Sequence, residues 1–257
     1  MLLAIDAGNT NIVFAVYDGK EMRAQWRAVT QASRTADDHA VWLSQLLALK
    51  GWSFADLDAA IIATVVPALL FDLRALCRSY LKCEPLIVGD PALDLGPKPD
   101  VDRPGSVGAD RLCNTVAVHE RYPGAAIVVD FGTATNFDIV SEQGAFCGSV
   151  IAPGANLSLT ALHQAAALLP RVAIHRVQKV IGRDTVPAMQ SGVYWGYVGL
   201  IGGLIERIRH EYGAPMTVVA TGGLAHLFQP DIPAIVHVDP DLTMRGLMLI
   251  HARNKIA

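Results

Sequence analysis

Apolar positions along the chain follow two rhythms, and the two alternate. Short unbroken runs such as Leu2-Leu3-Ala4-Ile5, Ile12–Tyr17, Ala59–Val66, Ile127-Val128-Val129 and Met216–Ala220 predict buried strands. Between them, apolar residues recur at helical spacing. Thr35–Lys50 places Val41, Leu43, Leu46, Leu47 and Leu49 on such a pattern, ended by Gly51. Further helices are predicted from Pro67 to about Leu81, over Leu112–Arg121, near Asn156–Leu168, from about Val186 to Tyr212, and over Leu242–Arg253. Additional strands are expected near Glu21–Val29, Glu84–Val88, Ala145–Ile151 and Ala234–Val238. Strands alternating with helices argue for an α/β protein.

One pattern occurs twice. At the start, a strand runs into Asp6-Ala7-Gly8-Asn9-Thr10-Asn11, an outgoing strand follows, Asp18-Gly19 turns the chain, and a third strand returns. In the second half a strand runs into Asp130-Phe131-Gly132-Thr133, with an outgoing strand, a Glu142-Gln143-Gly144 turn and a third strand. Asp6 and Asp130 are 130 − 6 = 124 residues apart, close to half of the 257. A turn of this kind exposes N–H groups and a hydroxyl that suit phosphate oxygens, and a carboxylate beside it suits a cation. Its duplication implies two similar domains, 1–117 and 118–257, facing each other with a nucleotide in the cleft between them. Pro91, Pro97, Pro99 and Pro104 mark the Gly89–Val107 stretch as a long loop between the halves.

Composition narrows the function classes. With 52% hydrophobic and 18% charged residues, the sequence describes a compact soluble protein. A net charge of −3 without a basic run argues against nucleic acid as a partner. The apolar stretch Val193–Ile205 is 13 residues long, short of the roughly 20 that span a bilayer. Asp6 interrupts the N-terminal apolar run before a signal sequence could form, so a cytoplasmic protein without membrane attachment is expected. Cys77, Cys83, Cys113 and Cys147 lack metal-ligand spacing and read as buried, reduced thiols. Gly192, Gly196, Gly199, Gly202 and Gly203 weaken the long helix they occupy, which predicts close approach of another backbone or a ligand.

With Asp6-x-Gly-Asn-Thr-Asn11, Gly108-Ala109-Asp110-Arg111, Asp130-Phe-Gly-Thr-Ala-Thr135, Gly148-Ser-Val-Ile-Ala-Pro-Gly154 and Gly182-Arg-Asp-Thr185 in this order, the sequence resembles the type III pantothenate kinases. These belong to the acetate and sugar kinase/Hsc70/actin superfamily. The resemblance covers essentially the whole length. It implies two duplicated ribonuclease H-like (actin-like ATPase) domains and an ATP-dependent kinase making 4'-phosphopantothenate, the first step towards coenzyme A.

The resemblance also implies site roles. ATP is contacted by Asp6, Ala7, Gly8, Asn9, Thr10, Asn11, Ile12 and Val13, and again by Thr133, with Asp6 helping to position Mg2+. Phosphoryl transfer needs alignment and neutralised charge more than covalent chemistry from the protein. Asp110 is the general base that takes the proton of the primary hydroxyl of pantothenate. Gly108, Ala109 and Arg111 contact the substrate beside it, Arg111 through charge-assisted bonds. Asp130 holds a monovalent cation, K+ or NH4+. Thr185 contacts pantothenate from the other subunit of a homodimer, with the long helix as a candidate interface. Where many family members carry a tyrosine, three residues before Pro104, this chain has Val101. Two alternatives stay open on sequence: a superfamily kinase for another small alcohol, and a non-catalytic transcription accessory factor. The presence of Asp6, Asp110 and Asp130 together favours catalysis.

Overall fold

The computed structural model describes residues 1–165 and 170–255. The chain opens with β1 (Leu2–Ala7), β2 (Asn11–Asp18) and β3 (Glu21–Val29), a meander whose first turn is Gly8-Asn9-Thr10. α1 (Ala36–Ala48) starts at Thr35, whose hydroxyl accepts from Asp38 N–H while the Asp38 carboxylate accepts from Thr35 N–H. This reciprocal box satisfies two of the amides that a helix start leaves without partners. β4 (Ala59–Thr64) leads to α2 (Pro67–Leu76), which loosens into a π turn over Cys77–Leu81 before β5 (Leu86–Ile87). α3 (Ala109–Arg121) follows a 3-10 turn at Pro104–Ser106. Then come β6 (Ala126–Phe131), β7 (Ala134–Val140), β8 (Phe146–Pro153), α4 (Ala155–Ala165) and the long α5 (Thr185–Tyr212). β9 (Thr217–Gly222), the single turn α6 (Ala225–Phe228), β10 (His237–Val238) and α7 (Leu242–Arg253) complete the order. The last residues of the helix expected near Asn156–Leu168 lie outside the described residues.

Two compact units result. The first takes residues 1–98, 102–117 and those from 242 on; the second takes 99–101 and 118–241. Each carries one five-stranded sheet, in the orders β3-β2-β1-β4-β5 and β8-β7-β6-β9-β10. In both, the first three strands are antiparallel and the inner strand pairs in parallel with the strand beyond it. Even the irregularities repeat, one at Val16/Tyr17 and one at Ile139/Val140, each about ten residues past the aspartate of its turn. The chain thus builds the same α/β plan twice, the arrangement of duplicated ribonuclease H-like domains.

In the first unit the sheet is covered on both faces. Leu3, Ile5, Phe14 and Ile62 pack against α1 and α2 residues Leu43, Leu47, Leu69 and Leu73. Ala4, Ala15 and Ile61 pack against Leu112, Cys113 and Val116 of α3 and Met244, Leu247 and Ile250 of α7. Burying both faces explains why β1 and β4 lack a polar alternation. α7 joins this unit because Gly246 lets it approach α3 closely: a Cβ there would lie 2.1 Å from the Cys113 carbonyl oxygen. In the second unit, Ile127, Val129 and Val218 pack against Tyr194, Tyr197, Ile201 and Ile205 of α5.

Two expectations need correction. The outer strands β5 and β10 are two residues long, not five: pairing runs through Leu86 and Ile87 on β4 and through His237 and Val238 on β9. Cys77 and Cys113 are buried, but Cys83 and Cys147 are half-buried; all four are free thiols. Among the described residues outside the helix's own backbone, nothing lies within 4 Å of a Cβ built at Gly192, Gly196, Gly199 or Gly202.

Candidate active site

The first duplicated turn joins β1 to β2. Asp6 sits within β1, opposite Val13 on one side and Ala63 on the other, and its side chain is half-buried. The turn is held from within: Gly8 N–H donates to the Asn11 carbonyl at 3.0 Å, Thr30 Oγ1 donates to the Gly8 carbonyl at 2.6 Å, and Thr30 N–H donates to the Thr10 carbonyl. The Gly8 amide is therefore spent inside the turn, while Asn9 and Thr10 are exposed at its tip. Ala7, Ile12 and Val13 are buried and act as the frame.

Asp110 lies in the first turn of α3, after Gly108 and the buried Ala109. Its Oδ1 accepts the Arg111 N–H at 2.8 Å. Gly108 is crowded against it, since a Cβ there would fall 2.7 Å from that oxygen. Burial raises the carboxyl pKa above its ordinary value, against the lowering effect of the Arg111 amide and guanidinium. A carboxylate made more basic in this way suits proton abstraction. Nε and Nη2 of Arg111 are out of solvent.

The charges of Asp6 and Asp110 both act on one residue that the sequence reads as a core thiol. Cys113 is fully buried, and its pKa is pushed well above the usual value by burial first, then by the charges of Asp6 and Asp110. The signal was present in the spacing, because Cys113 is three residues past Asp110 on the same helix face. Next to it, Asn114 is also buried and accepts a hydrogen bond from Thr243 of α7 at 2.8 Å.

The second unit carries the other turn. Asp130 is half-buried in β6, opposite Asn136 and Thr221, and Thr133 is exposed. Gly132 N–H donates to the Ala134 carbonyl and Gly154 N–H donates to the Thr133 carbonyl. Two glycines make room for this turn. A Cβ on Gly154 would lie 2.2 Å from the Thr133 carbonyl oxygen and 2.8 Å from that of Gly132. Gly222, at φ +87°, would bring one 2.6 Å from Asp130 Oδ1. Gly222 belongs to the Thr221-Gly222-Gly223 run, whose role beside Asp130 no spacing rule gave away. A half-buried carboxylate is an oxygen donor of the kind a hard cation takes. Among the described residues no group of three or more His, Cys, Asp or Glu could hold a metal ion.

Thr185 is the first residue of α5 and is exposed; its N–H is capped by Asp184 Oδ1 at 2.8 Å. Further along α5, Met189, Val193, Gly196 and Leu200 line a shallow apolar groove of about 480 Å³ with Ser158 and Leu162 of α4. No helix of the described residues is long and apolar enough to cross a membrane.

The sequence profile of the type III pantothenate kinases matches residues 2–207. The chain belongs to this family. Proteins described as "Type III pantothenate kinase" are 62% identical over 99% of this chain and 98% of their own length in Paramagnetospirillum magneticum, and 61% identical over 99% of each in Rhodospirillum rubrum. Among solved structures, a putative 2-dehydro-3-deoxygalactonokinase from Sinorhizobium meliloti is similar over 100% of this chain and 98% of its own, with a TM-score of 0.63 at 15% identity. A conserved putative Baf family transcriptional activator from Campylobacter jejuni covers 98% of each chain, with a TM-score of 0.61 at 19% identity. These two likenesses speak to the fold, which is that of the sugar kinases. Membership of the kinase family favours catalysis over the accessory-factor alternative.

Proposed function

We propose that the chain phosphorylates pantothenate with ATP to give 4'-phosphopantothenate, with Asp110 as general base. The observation that supports this assignment most is the match to the type III pantothenate kinases over residues 2–207, together with the place of Asp110 in the first turn of α3, where burial raises its carboxyl. Asp110 takes the proton from the primary hydroxyl, the oxygen bonds to the γ-phosphorus, and the bridging bond to the β-phosphate breaks to release ADP. Asp6 would hold magnesium and the phosphates it carries, and Asn9, Thr10 and Asn11 would meet the nucleotide, as would Thr133. Ala7, Gly8, Ile12 and Val13 shape that contact. Magnesium neutralises the charge that develops on the transferred phosphoryl group. Gly108 and Ala109 bring backbone to pantothenate, while Arg111 offers its guanidinium to the carboxylate.

In the same reading Asp130 holds K+ or NH4+, supported by the space that Gly222 leaves beside its carboxylate. Thr185 contacts pantothenate across a homodimer. The apolar groove along α5, which Gly192 and Gly196 help to line, supports α5 as the surface that meets a second copy. A cytoplasmic location follows from the chemistry, since ATP and coenzyme A precursors are handled there.

The test is ADP formation with ATP, magnesium and pantothenate, in potassium and in sodium, on wild type and Asp110→Asn. Pantothenate-dependent turnover, stimulated by potassium and reduced about 10²–10⁴-fold in the variant, is expected. Folded protein that binds ATP but shows no pantothenate-dependent turnover would overturn the substrate assignment. Light scattering checks the dimer.

A further inference from the structure

The segment 170–184, between α4 and α5, has no secondary structure, yet it is tied down at several points. Arg176 grips Asp231 with both ends of its guanidinium, Nε to Oδ2 at 2.6 Å and Nη2 to Oδ1 at 2.8 Å. Asp231 is in turn held by the hydroxyl of Tyr194, which donates to Oδ2 at 2.5 Å. The Tyr194 ring is fully buried in α5 and stacks on Phe228 at 5.4 Å. Two more ties run directly to α5: Ser191 Oγ donates to the Val180 carbonyl, and Gln190 Nε2 donates to the Ala173 carbonyl at 3.4 Å. Ile174 and Val177 pack on the core of the unit.

The downstream end of the same strap lies on the start of α5. Gly182 is pressed so close that a Cβ would sit 2.3 Å from Ala188 N and 2.7 Å from the Pro187 carbonyl carbon. Residues 185–188, the first turn of α5, are all exposed. Helix ends fray unless something holds them. Inside the chain, that turn is held by the Asp184 cap and by Gly182, both parts of the strap.

We infer that Arg176, Asp231 and Tyr194 form a positioning network that fixes the 170–184 strap and so orders the first turn of α5, including Thr185. None of the three is a catalytic residue in this reading; they act through the strap. The inference rests on the reading of Thr185 as a pantothenate contact. An exposed ion pair alone holds little, but this one is two-pronged and its carboxylate is anchored by a buried tyrosine. Arg176 alone among the three is mostly exposed, so its loss unfastens the strap without cutting into the core.

The experiment compares wild type, Arg176→Ala, Arg176→Lys and Thr185→Ala. Hydrogen exchange of the Thr185, Val186 and Ala188 amides (Pro187 has none) and steady-state kinetics for both substrates are the readouts. In Arg176→Ala we expect exchange of these amides about fivefold faster and KM for pantothenate raised by about the same factor, the size of a lost ion pair. KM for ATP stays within about twofold, and Arg176→Lys, which keeps the charge but not the fork, recovers part of the loss. Unchanged exchange in Arg176→Ala overturns the network. A loss of kcat with pantothenate KM unmoved overturns it as well, because that is what general loosening would give. If exchange quickens but Thr185→Ala leaves pantothenate KM unchanged, the assignment of Thr185 fails and the functional half of the inference falls with it, while the strap stands.

Discussion

Gly246→Ala makes the close approach of α7 to α3 measurable. The new Cβ would lie 2.1 Å from the Cys113 carbonyl oxygen, 2.5 Å from its carbon and 2.8 Å from its Cα. All three are backbone atoms of a helix, so no rotamer change relieves the overlap. Ordinary contact requires the two helices to part by roughly 1 Å, loosening the packing of Met244, Leu247 and Ile250 on the sheet. Overpacking of this kind costs about 1–3 kcal/mol, and the rigidity of the struck atoms argues for about 3. Replacing a helical glycine by alanine returns about 1 kcal/mol. The net, about 2 kcal/mol, corresponds to a Tm lower by about 4–8 °C for a chain of this length. Because α3 also carries Asp110, kcat should fall in folded protein at 20 °C. Thermal unfolding followed by circular dichroism is the assay. A Tm equal to or above wild type would refute the account of how α7 is seated.

Gly108→Ala should lower kcat by about tenfold with Tm changed by less than about 3 °C, since its Cβ would strike the Asp110 carboxylate end 2.7 Å away, a movable group, and not backbone. Unaltered kcat would argue against Asp110 as the base. Asp110→Asn should be more stable than wild type at pH 7 while losing most of its turnover. Its folded pKa is raised, so the stability it contributes is complete below the unfolded value near 4 and is lost as pH rises through the folded value. The advantage of Asn must therefore shrink as pH is lowered to about 4, which Tm measured at both pH values checks. Asp231 has the opposite sign: Arg176 first, then Tyr194, hold it down to about 2, so its contribution is present above about 4 and is lost as pH falls towards 2. Acid unfolding of Arg176→Ala should accordingly begin at higher pH than in wild type; coincident acid transitions would count against the ion pair.

The repeat was the most legible part of the sequence, because two copies of strand, Asp-x-Gly turn and strand restrict topology far more than either alone. β3 (Glu21–Val29) and α7 (Leu242–Arg253) match their expected limits, the first closed by turns and the second by its apolar spacing. Strand length at the sheet margins was not legible, since apolar content in Ala234–Val238 is the same whether the backbone pairs over five residues or two. The unit that α7 joins could not be read either; Gly246 looks like any helical glycine until Cys113 is found behind it. At the site, carboxylates at strand ends and helix starts announced themselves. Their glycine neighbours Gly154 and Gly222 did not show what they faced, because a glycine's role is set by what lies where its side chain would be. The α5 glycines suggested close approach to a backbone or a ligand, and four of them, Gly192, Gly196, Gly199 and Gly202, have no such neighbour among the described residues.

The seating of α7 also bears on the order in which the protein forms on the ribosome. Domains ordinarily fold as they emerge, the N-terminal one first. Here the first sheet finishes at Ile87, but one of its faces is covered in part by Met244, Leu247 and Ile250. That face stays open to water while more than 150 further residues are made, whereas the second unit has all its strands and helices once Asp241 has emerged. The half that begins the chain is thus the last to close, and a message cut short before Leu242 leaves it with an exposed apolar face that invites aggregation.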